Sequence, residues 1–263
     1  MTLDTADIGG CCIAYRFDGP ADAPVVMLSN SLSSNLSMWD DQIAALTAHY
    51  GVLRYDQRGH GQSAVTPGPY SFDLLADDVR GLLRHLGIDS VQFVGLSMGG
   101  MTGQSLGVRH PDILKSLVLC DTSAHMPPAA LWDERIALAR NGGMEATSEA
   151  TLGRWFTAPF HAARPDAIDR VRQMIETTPV EGYAGCCIAI RDMNQTAALS
   201  RIAVPTRVIV GAEDPSTPVS ASQLIHGEIA GSELVILDDA AHLSNIEKAD
   251  EFNAALLDFL LRH

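Results

Sequence analysis

The segment that most constrains this chain is a serine framed by glycines at 95–99, which reads Gly-Leu-Ser-Met-Gly. The apolar run 90–94 predicts a strand before it, and the pattern of 98–110 predicts a helix after it. The two glycines lack a Cβ, so the backbone can turn sharply and present Ser97 above the edge of a sheet. The N-terminus of the following helix favours a developing oxyanion. We therefore predict that Ser97 is a nucleophile; the alternative is a glycine-rich turn with an incidental serine.

Short β-rich runs alternate with helical patterns along most of the remaining chain. Strands are predicted at 12–17, 25–29, 52–55, 90–94, 114–119, 206–210 and 233–237. Helices are predicted at 38–49, 72–86, 98–110, 219–229 and 248–261, with Gly87 as the C-terminal cap of the second helix. This alternation predicts an α/β fold with a mostly parallel sheet.

The segment 124–203 interrupts this rhythm. It has helical patterns with glycine and proline breaks and no convincing strand. We therefore predict a helical cap at 124–203 over the carboxyl edge of the sheet. Residues 1–123 and 204–263 would form the core, in keeping with one domain of 263 residues.

Composition excludes several classes of partner. The net charge of −14 repels nucleic acid and anionic membranes, so neither is expected as a partner. No apolar run has the roughly 18 residues of a membrane span, and the first residues lack the pattern of a signal peptide. The five cysteines show no disulfide or metal spacing, so we expect reduced thiols, a cytoplasmic location and no metal. No pattern indicates an oligomeric state.

A nucleophilic serine needs a histidine base and a carboxylate that orients it. His242 follows the last predicted strand, where a sheet of this kind delivers such a histidine. Asp214 follows the strand 206–210 and is the predicted acid, with Glu213 as a weaker alternative. Asp121 follows the strand 114–119 and is the second alternative.

An oxyanion hole needs backbone N–H groups beside the nucleophile. Met98 follows Ser97 directly and is the first predicted donor. The loop 30–33 follows the strand 25–29, and Leu32 is the predicted second donor; its alternative role is packing under the cap.

Several motifs together resemble the α/β-hydrolase superfamily over nearly the whole chain, and within it the 3-oxoadipate enol-lactonases of bacterial aromatic catabolism. The superfamily motifs are Asp56-Gln-Arg-Gly-His-Gly-Gln-Ser63, Gly95 to Gly100, Gly211 to Asp214 and His242. The stretches that resemble enol-lactonases are Leu28-Ser-Asn-Ser-Leu32, Ser37-Met-Trp39, Leu53-Arg-Tyr-Asp56, Gly95 to Gly100, Arg154-Trp-Phe-Thr157, Glu181-Gly-Tyr-Ala184 and His242-Leu-Ser-Asn-Ile-Glu247. Most superfamily members carry His-Gly where this chain has Asn30-Ser31, and this departure matches the enol-lactonase pattern.

The resemblance implies an eight-stranded α/β-hydrolase fold with a cap after the sixth strand. It also implies a carboxylic-ester hydrolase of the β-ketoadipate pathway that opens a small anionic lactone through an acyl-enzyme, without a cofactor. An anionic substrate requires a cation in the pocket, and the cap offers Arg135 and Arg154 beside Trp132 and Trp155. The alternative is that these are surface arginines and packing tryptophans.

Other functions stay open on the sequence alone. The same motifs suit a carboxylesterase, a cofactor-free perhydrolase or a carbon–carbon bond hydrolase, since only the cap distinguishes these enzymes. A ligand receptor that keeps the fold is a further alternative, although all three triad positions hold competent residues.

Overall fold

A single eight-stranded sheet forms the centre of the molecule in the computed structural model, which describes residues 3–263. Its strands are β1 (Asp4–Ile8), β2 (Cys11–Asp18), β3 (Val25–Ser29), β4 (Gly51–Tyr55), β5 (Val91–Leu96), β6 (Leu114–Cys120), β7 (Thr206–Gly211) and β8 (Glu233–Leu237). Their spatial order is β1-β2-β4-β3-β5-β6-β7-β8. Only the β1–β2 and β2–β4 pairs are antiparallel. The predicted mostly parallel sheet is confirmed.

Eleven α-helices surround this sheet in the described part of the chain. They are α1 (Asp40–Leu46), α2 (Phe72–Leu86), α3 (Met98–Arg109), α4 (Ala129–Gly142), α5 (Glu145–Trp155), α6 (Ala158–Ala163), α7 (Pro165–Glu176), α8 (Val180–Asp192), α9 (Val219–Glu228), α10 (Ser244–Glu247) and α11 (Ala249–Leu260). Helices α2 and α3 pack together on one face of the sheet, and α1 packs against α11 on the other. Gly87 ends α2 with φ of 67°, the left-handed cap that the sequence predicts.

Both faces of the sheet are buried, as a parallel sheet requires. Alternate residues of β3 show this directly, because Val26 and Leu28 belong to one apolar cluster and Met27 to the other. All three side chains are fully buried. The rigid centre holds the carboxyl ends of the parallel strands in fixed positions, and the loops that follow them share one edge.

The cap lies between the sixth and seventh strands, where it is predicted. Helices α4 to α8 fill this interval, and their apolar side chains, including Trp132 and Trp155, join the same core cluster as Val26 and Leu28. The cap is therefore packed onto the core through a shared apolar interior. Among residues 3–263, no helix combines the length and apolar character that a membrane span needs.

Two elements differ from the sequence prediction. Strand β1 is absent from it, because only Ala6 of this edge strand is buried and its other residues show no apolar alternation. The helix predicted at 38–49 is instead a 3₁₀ turn, Leu36–Trp39, followed by the short helix α1. Asn35 caps the turn by accepting a hydrogen bond from the Ser37 N–H. The turn buries Trp39 completely.

Candidate active site

Ser97 stands on a strained turn between β5 and α3. Its backbone has φ of 56° and ψ of −112°, a conformation that costs free energy for any residue with a Cβ. A Cβ on Gly95 would collide with the Gly99 carbonyl, and a Cβ on Gly99 would collide with the Ser29 carbonyl. The glycines therefore permit the close packing that the turn requires, which is the role the sequence predicts for them.

Strand β6 and the residues just after it hold this turn by hydrogen bonds. The Ser97 N–H donates to the Cys120 carbonyl at 2.8 Å, and the Thr122 hydroxyl donates to the Ser97 carbonyl at 2.7 Å. A Cβ on Gly100 would collide with the Thr122 side chain, so the start of α3 also fits closely against residue 122. These contacts fix the serine side chain relative to the sheet.

His242 and Asp214 meet at the carboxyl edge of the sheet. His242 Nδ1 lies 2.8 Å from Asp214 Oδ2, and both side chains are buried. Asp214 also accepts hydrogen bonds from the backbone N–H groups of Ser216 and Thr217 and from the Thr217 hydroxyl. Burial opposes the charge on Asp214, but the His242 charge and the hydrogen bonds from His242 and Thr217 lower its pKa below the usual value.

This pairing determines which nitrogen of His242 is available. Because Asp214 engages Nδ1, the Nε2 atom is left to accept a proton. His242 and Ser97 line the same cavity. The arrangement can thus activate a serine hydroxyl, which is the chemistry that the sequence predicts for these three residues.

Asp121, the rival acid, has other partners. Its carboxylate accepts hydrogen bonds from the Gly211 N–H at 2.8 Å and from the Ser244 hydroxyl at 2.5 Å. It is fully buried, and burial together with the nearby Asp214 charge raises its pKa well above the usual value. Asp121 therefore ties the end of β7 to the segment after His242. The weaker alternative, Glu213, has an exposed side chain.

The predicted oxyanion donors come from two segments, the start of α3 and the loop after β3. Met98 is the first residue of α3, directly after Ser97. Leu32 lines the cavity, and its N–H has no acceptor within residues 3–263. The loop around Leu32 is held from outside: the Ser33 N–H donates to His60 Nε2 at 3.0 Å, and the Gln57 amide donates to the Asn30 carbonyl at 2.6 Å.

The His60 contact requires an unprotonated ring nitrogen. Burial lowers the pKa of His60 to about 4, so its Nε2 stays an acceptor at neutral pH. The motif 56–63 therefore supports the loop around Leu32 and does not line the cavity.

All four predicted cap residues line the cavity that contains Ser97 and His242. The complete lining is Ser31, Leu32, Ser33, Ser97, Met101, Met126, Trp132, Arg135, Thr151, Arg154, Trp155, Tyr183, Ile190, Ser216, Thr217 and His242. Arg135 lies over the Trp132 ring at 4.7 Å, and the Trp155 ring lies 6.0 Å from the His242 ring. The structure thus brings the tryptophans and arginines of the cap to the catalytic edge.

The two cavity arginines lack acidic partners. Neither Arg135 nor Arg154 forms an ion pair within the described chain, and no Asp or Glu of that part lines the cavity. Arg154 Nε is buried without a hydrogen-bond partner. Burial and the neighbouring Arg135 charge lower the pKa of Arg154. The cavity wall therefore carries uncompensated positive charge.

The cap is hydrogen-bonded to one neighbour of His242 and is linked to the other through Glu247. The Leu243 N–H donates to the Trp155 carbonyl at 3.0 Å. Glu247 accepts from the Ala241 N–H through Oε2, and from the N–H and hydroxyl of Thr157 through Oε1. We call these contacts the Glu247 bridge. It joins the stretches 154–157 and 242–247, both of which resemble enol-lactonases, by one set of hydrogen bonds.

Replacement of Glu247 with alanine is expected to lower both stability and turnover. The loss of one side-chain acceptor shared by three donors should decrease the free energy of unfolding by about 1–3 kcal/mol. Turnover should fall because Ala241 and Thr157 no longer share an anchor beside His242. Thermal denaturation and kcat measure the two effects. Glu251→Ala, at an exposed acid of α11, is the matched control. Equal melting temperatures for the two variants would contradict the bridge.

The sequence analysis assigned no role to some of the residues that line the cavity. Thr217 lies 3.3 Å from His242 Nδ1 and donates to Asp214, and its only signal was its position three residues after the acid. Tyr183 belongs to a stretch that resembles enol-lactonases, yet no role was predicted for it. Burial raises its pKa, so the phenol stays protonated. Within residues 3–263, no cluster of three His, Cys, Asp or Glu side chains is arranged to hold a metal.

Comparison with known proteins identifies the family to which the chain is similar. Residues 24–249 match the family described as alpha/beta hydrolase fold. The chain is 38% identical to 3-oxoadipate enol-lactonase 2 of Acinetobacter baylyi over 96% of its length and 94% of the relative's. It is 31% identical to RutD of Pseudomonas savastanoi, named for carbamate hydrolysis, over 91% of its length and 95% of the relative's. The crystal structure of the enol-lactonase from Burkholderia xenovorans superimposes with a TM-score of 0.96 at 42% identity, covering 98% of this chain and 100% of that one.

Proposed function

Because this chain belongs to the alpha/beta hydrolase family, we propose that it is a serine hydrolase that opens 3-oxoadipate enol-lactone to 3-oxoadipate. The similarity to two enol-lactonases supports this substrate, and it supports a place in the breakdown of aromatic compounds. The similarity to RutD keeps carbamate hydrolysis as a second candidate.

The observation that carries the proposal is the uncompensated positive charge of Arg135 and Arg154 in the cavity of Ser97 and His242. A neutral ester gains nothing from two guanidinium groups, whereas a carboxylate would pair with them and remove their mutual repulsion. The tryptophans beside them supply an apolar wall for a small ring. A small lactone with one carboxymethyl group combines both properties.

Acylation begins when His242 Nε2 takes the Ser97 proton and Ser97 Oγ attacks the lactone carbonyl. The carbonyl electron pair moves to oxygen, and the N–H groups of Leu32 and Met98 stabilise the resulting oxyanion. When the pair returns, the ring C–O bond breaks and an enolate leaves. The enolate is a good leaving group, so this step is undemanding. The proton held by His242 returns to the leaving group, which tautomerises to a ketone.

Deacylation uses the same residues in a second cycle. His242 takes a proton from water, and the hydroxide attacks the acyl carbon of the Ser97 ester. Collapse of this intermediate breaks the bond to Ser97 Oγ, which recovers its proton from His242. Asp214 remains ionised throughout and stabilises the imidazolium through Nδ1. The product carries two carboxylates, and no cofactor takes part in this scheme.

Substitution of Arg154 with glutamine tests the substrate class. We expect KM for the enol-lactone to rise about 10- to 100-fold, because a hydrogen-bonded charge pair is lost. KM for a neutral lactone of the same ring size should change much less. Arg140→Gln is the matched control, since Arg140 is an exposed cap arginine paired with Glu181. Equal increases for charged and neutral lactones would contradict recognition of a carboxylate.

Direct comparison of substrates separates the proposal from its rivals. Purified protein should turn over the enol-lactone faster than aryl esters, carbamates or peracid-forming mixtures, measured as kcat/KM. If simple aryl esters or carbamates are better by orders of magnitude, the lactonase proposal is wrong. The serine chemistry would stand in that event, because it depends on Ser97 and His242 and not on the cap.

A further inference from the structure

One hydroxyl in the wall of the candidate active site has no hydrogen-bond partner. Ser31 is 1% exposed and lines the cavity with Ser97 and His242. Its Oγ is buried and has no partner within the described residues. Buried hydroxyls are nearly always hydrogen-bonded, so an unpaired one at a cavity wall indicates a group that awaits a ligand.

The backbone of Ser31 is already occupied. Its N–H lies 3.3 Å from Met38 Sδ, and its carbonyl accepts a hydrogen bond from the Ser34 hydroxyl at 2.8 Å. The side-chain hydroxyl is therefore the one polar group of Ser31 that lacks a hydrogen-bond partner within the described residues. These backbone contacts also hold the residue in place, so the hydroxyl is positioned before a substrate arrives.

The segment that carries Ser31 is packed against the nucleophile turn. A Cβ on Gly99 would collide with the Ser29 carbonyl and would lie 3.0 Å from the Asn30 carbonyl. Residues 29 and 30 thus touch the first turn of α3, immediately beside Ser97. Leu32, whose N–H is free to bind an oxyanion, follows Ser31 directly.

We propose that the Ser31 hydroxyl donates a third hydrogen bond to the oxyanion, beside the N–H groups of Leu32 and Met98. The proposal rests on the proposed serine hydrolysis and not on the identity of the lactone. When Ser97 Oγ bonds to the carbonyl carbon, the carbonyl pair moves to oxygen and His242 holds the Ser97 proton. Ser31 keeps its own proton throughout and only directs it at the new negative charge. Ser31 is thus a catalytic residue by contact with the reacting oxygen.

A pair of ketone inhibitors isolates this contact. A trifluoromethyl ketone with a carboxymethyl chain accepts Ser97 Oγ and forms a hemiketal oxyanion, whereas the matching methyl ketone binds largely without addition. We expect Ser31→Ala and Ser31→Gly to weaken binding of the trifluoromethyl ketone roughly 10- to 100-fold, the range for loss of one hydrogen bond to a charged group. The affinity for the methyl ketone should change less than about threefold, since it carries no oxyanion.

Ser34→Ala is the control for loosening of the loop. It removes a hydroxyl that bonds within the same loop and does not line the cavity. Any effect of Ser34→Ala should fall on both ketones alike. The proposal is overturned if Ser31→Ala leaves the ratio of the two affinities unchanged, whether both fall together or neither falls. A changed ratio in a protein that does not open the enol-lactone would uphold Ser31 and reject only the proposed substrate.

Discussion

Replacement of Ser97 with alanine is expected to lower kcat by about 10⁶-fold, as in other serine hydrolases that lose the nucleophile. The change removes one oxygen atom from a turn whose backbone is hydrogen-bonded to the Cys120 carbonyl and to the Thr122 hydroxyl. The fold and the affinity for substrate should therefore persist. Enol-lactone consumption measures kcat, and calorimetric titration with the product measures binding.

A buried serine of the helix that follows Ser97 provides the control for this substitution. Ser105 is buried in α3, its hydroxyl donates to Asp73, and neither residue lines the cavity. Ser105→Ala should retain turnover within a few-fold of the wild type. With an activated aryl ester, mass spectrometry should detect an acyl adduct on the wild type and none on Ser97→Ala. Residual turnover within tenfold of the wild type would remove Ser97 from the mechanism.

Asp214→Asn is expected to lower kcat by about 10⁴-fold, because an amide at this position favours the wrong tautomer of His242. The carboxylate now accepts from His242 Nδ1, from the Thr217 hydroxyl and from two backbone N–H groups. An asparagine NH₂ would face at least one of these donors. The ring nitrogen that must accept the Ser97 proton would then be protonated more often. Steady-state kinetics with the enol-lactone measures the loss.

Asp121→Asn is the matched control, since both carboxyls follow neighbouring strands and both are buried. An asparagine can accept from the Gly211 N–H and donate to the Ser244 hydroxyl, so it reproduces the contacts of a neutral acid. We expect its kcat to stay within about tenfold of the wild type, since Asp121 makes no contact with His242. If Asp121→Asn lowers kcat far more than Asp214→Asn does, Asp121 and not Asp214 is the carboxylate that orients His242.

The pH dependence of the free energy of unfolding gives a further test of Asp121. Because burial and the Asp214 charge raise the pKa of Asp121, the neutral form fits the folded state better than the charged form. The stabilisation from this group is therefore present at low pH and is lost as pH rises through the raised pKa. An asparagine at position 121 stays neutral at every pH, so the Asp121→Asn variant does not lose this stabilisation as pH rises. Denaturant unfolding should show Asp121→Asn at least as stable as the wild type at neutral and higher pH.

The positions of Ser97 and His242 could be read from the sequence because their signals are local. Glycines on both sides of Ser97, between an apolar run and a helical pattern, specify a sharp turn without reference to other residues. His242 follows from its place after the last strand. The choice between Asp214 and Asp121 was harder, because β6 and β7 are neighbours and both end at the same edge. The structure separates them by contacts that depend on loop conformation.

The sequence predicts that the cap is helical, but it does not predict which cap side chains face the cavity. Whether Arg135 points at solvent or over Trp132 depends on how α4 is rotated on its neighbours, and helical periodicity leaves that rotation open when the apolar stripe is weak. The Glu247 bridge joins residues 90 positions apart, so no local pattern indicates it. The unpaired hydroxyl of Ser31 likewise depends on which neighbours take its backbone groups.

The Glu247 bridge has a consequence for attempts to change what the enzyme accepts. Arg154 and Trp155 end a helix whose next residues share hydrogen bonds with both neighbours of the imidazole. A redesign that shifts this helix end would move His242 as well, so we expect gains in selectivity there to be offset by slower turnover. Trp132 and Arg135 belong to α4, which packs chiefly on α8 and has no such link. Laboratory evolution towards new ring substituents should therefore accumulate its tolerated changes in α4.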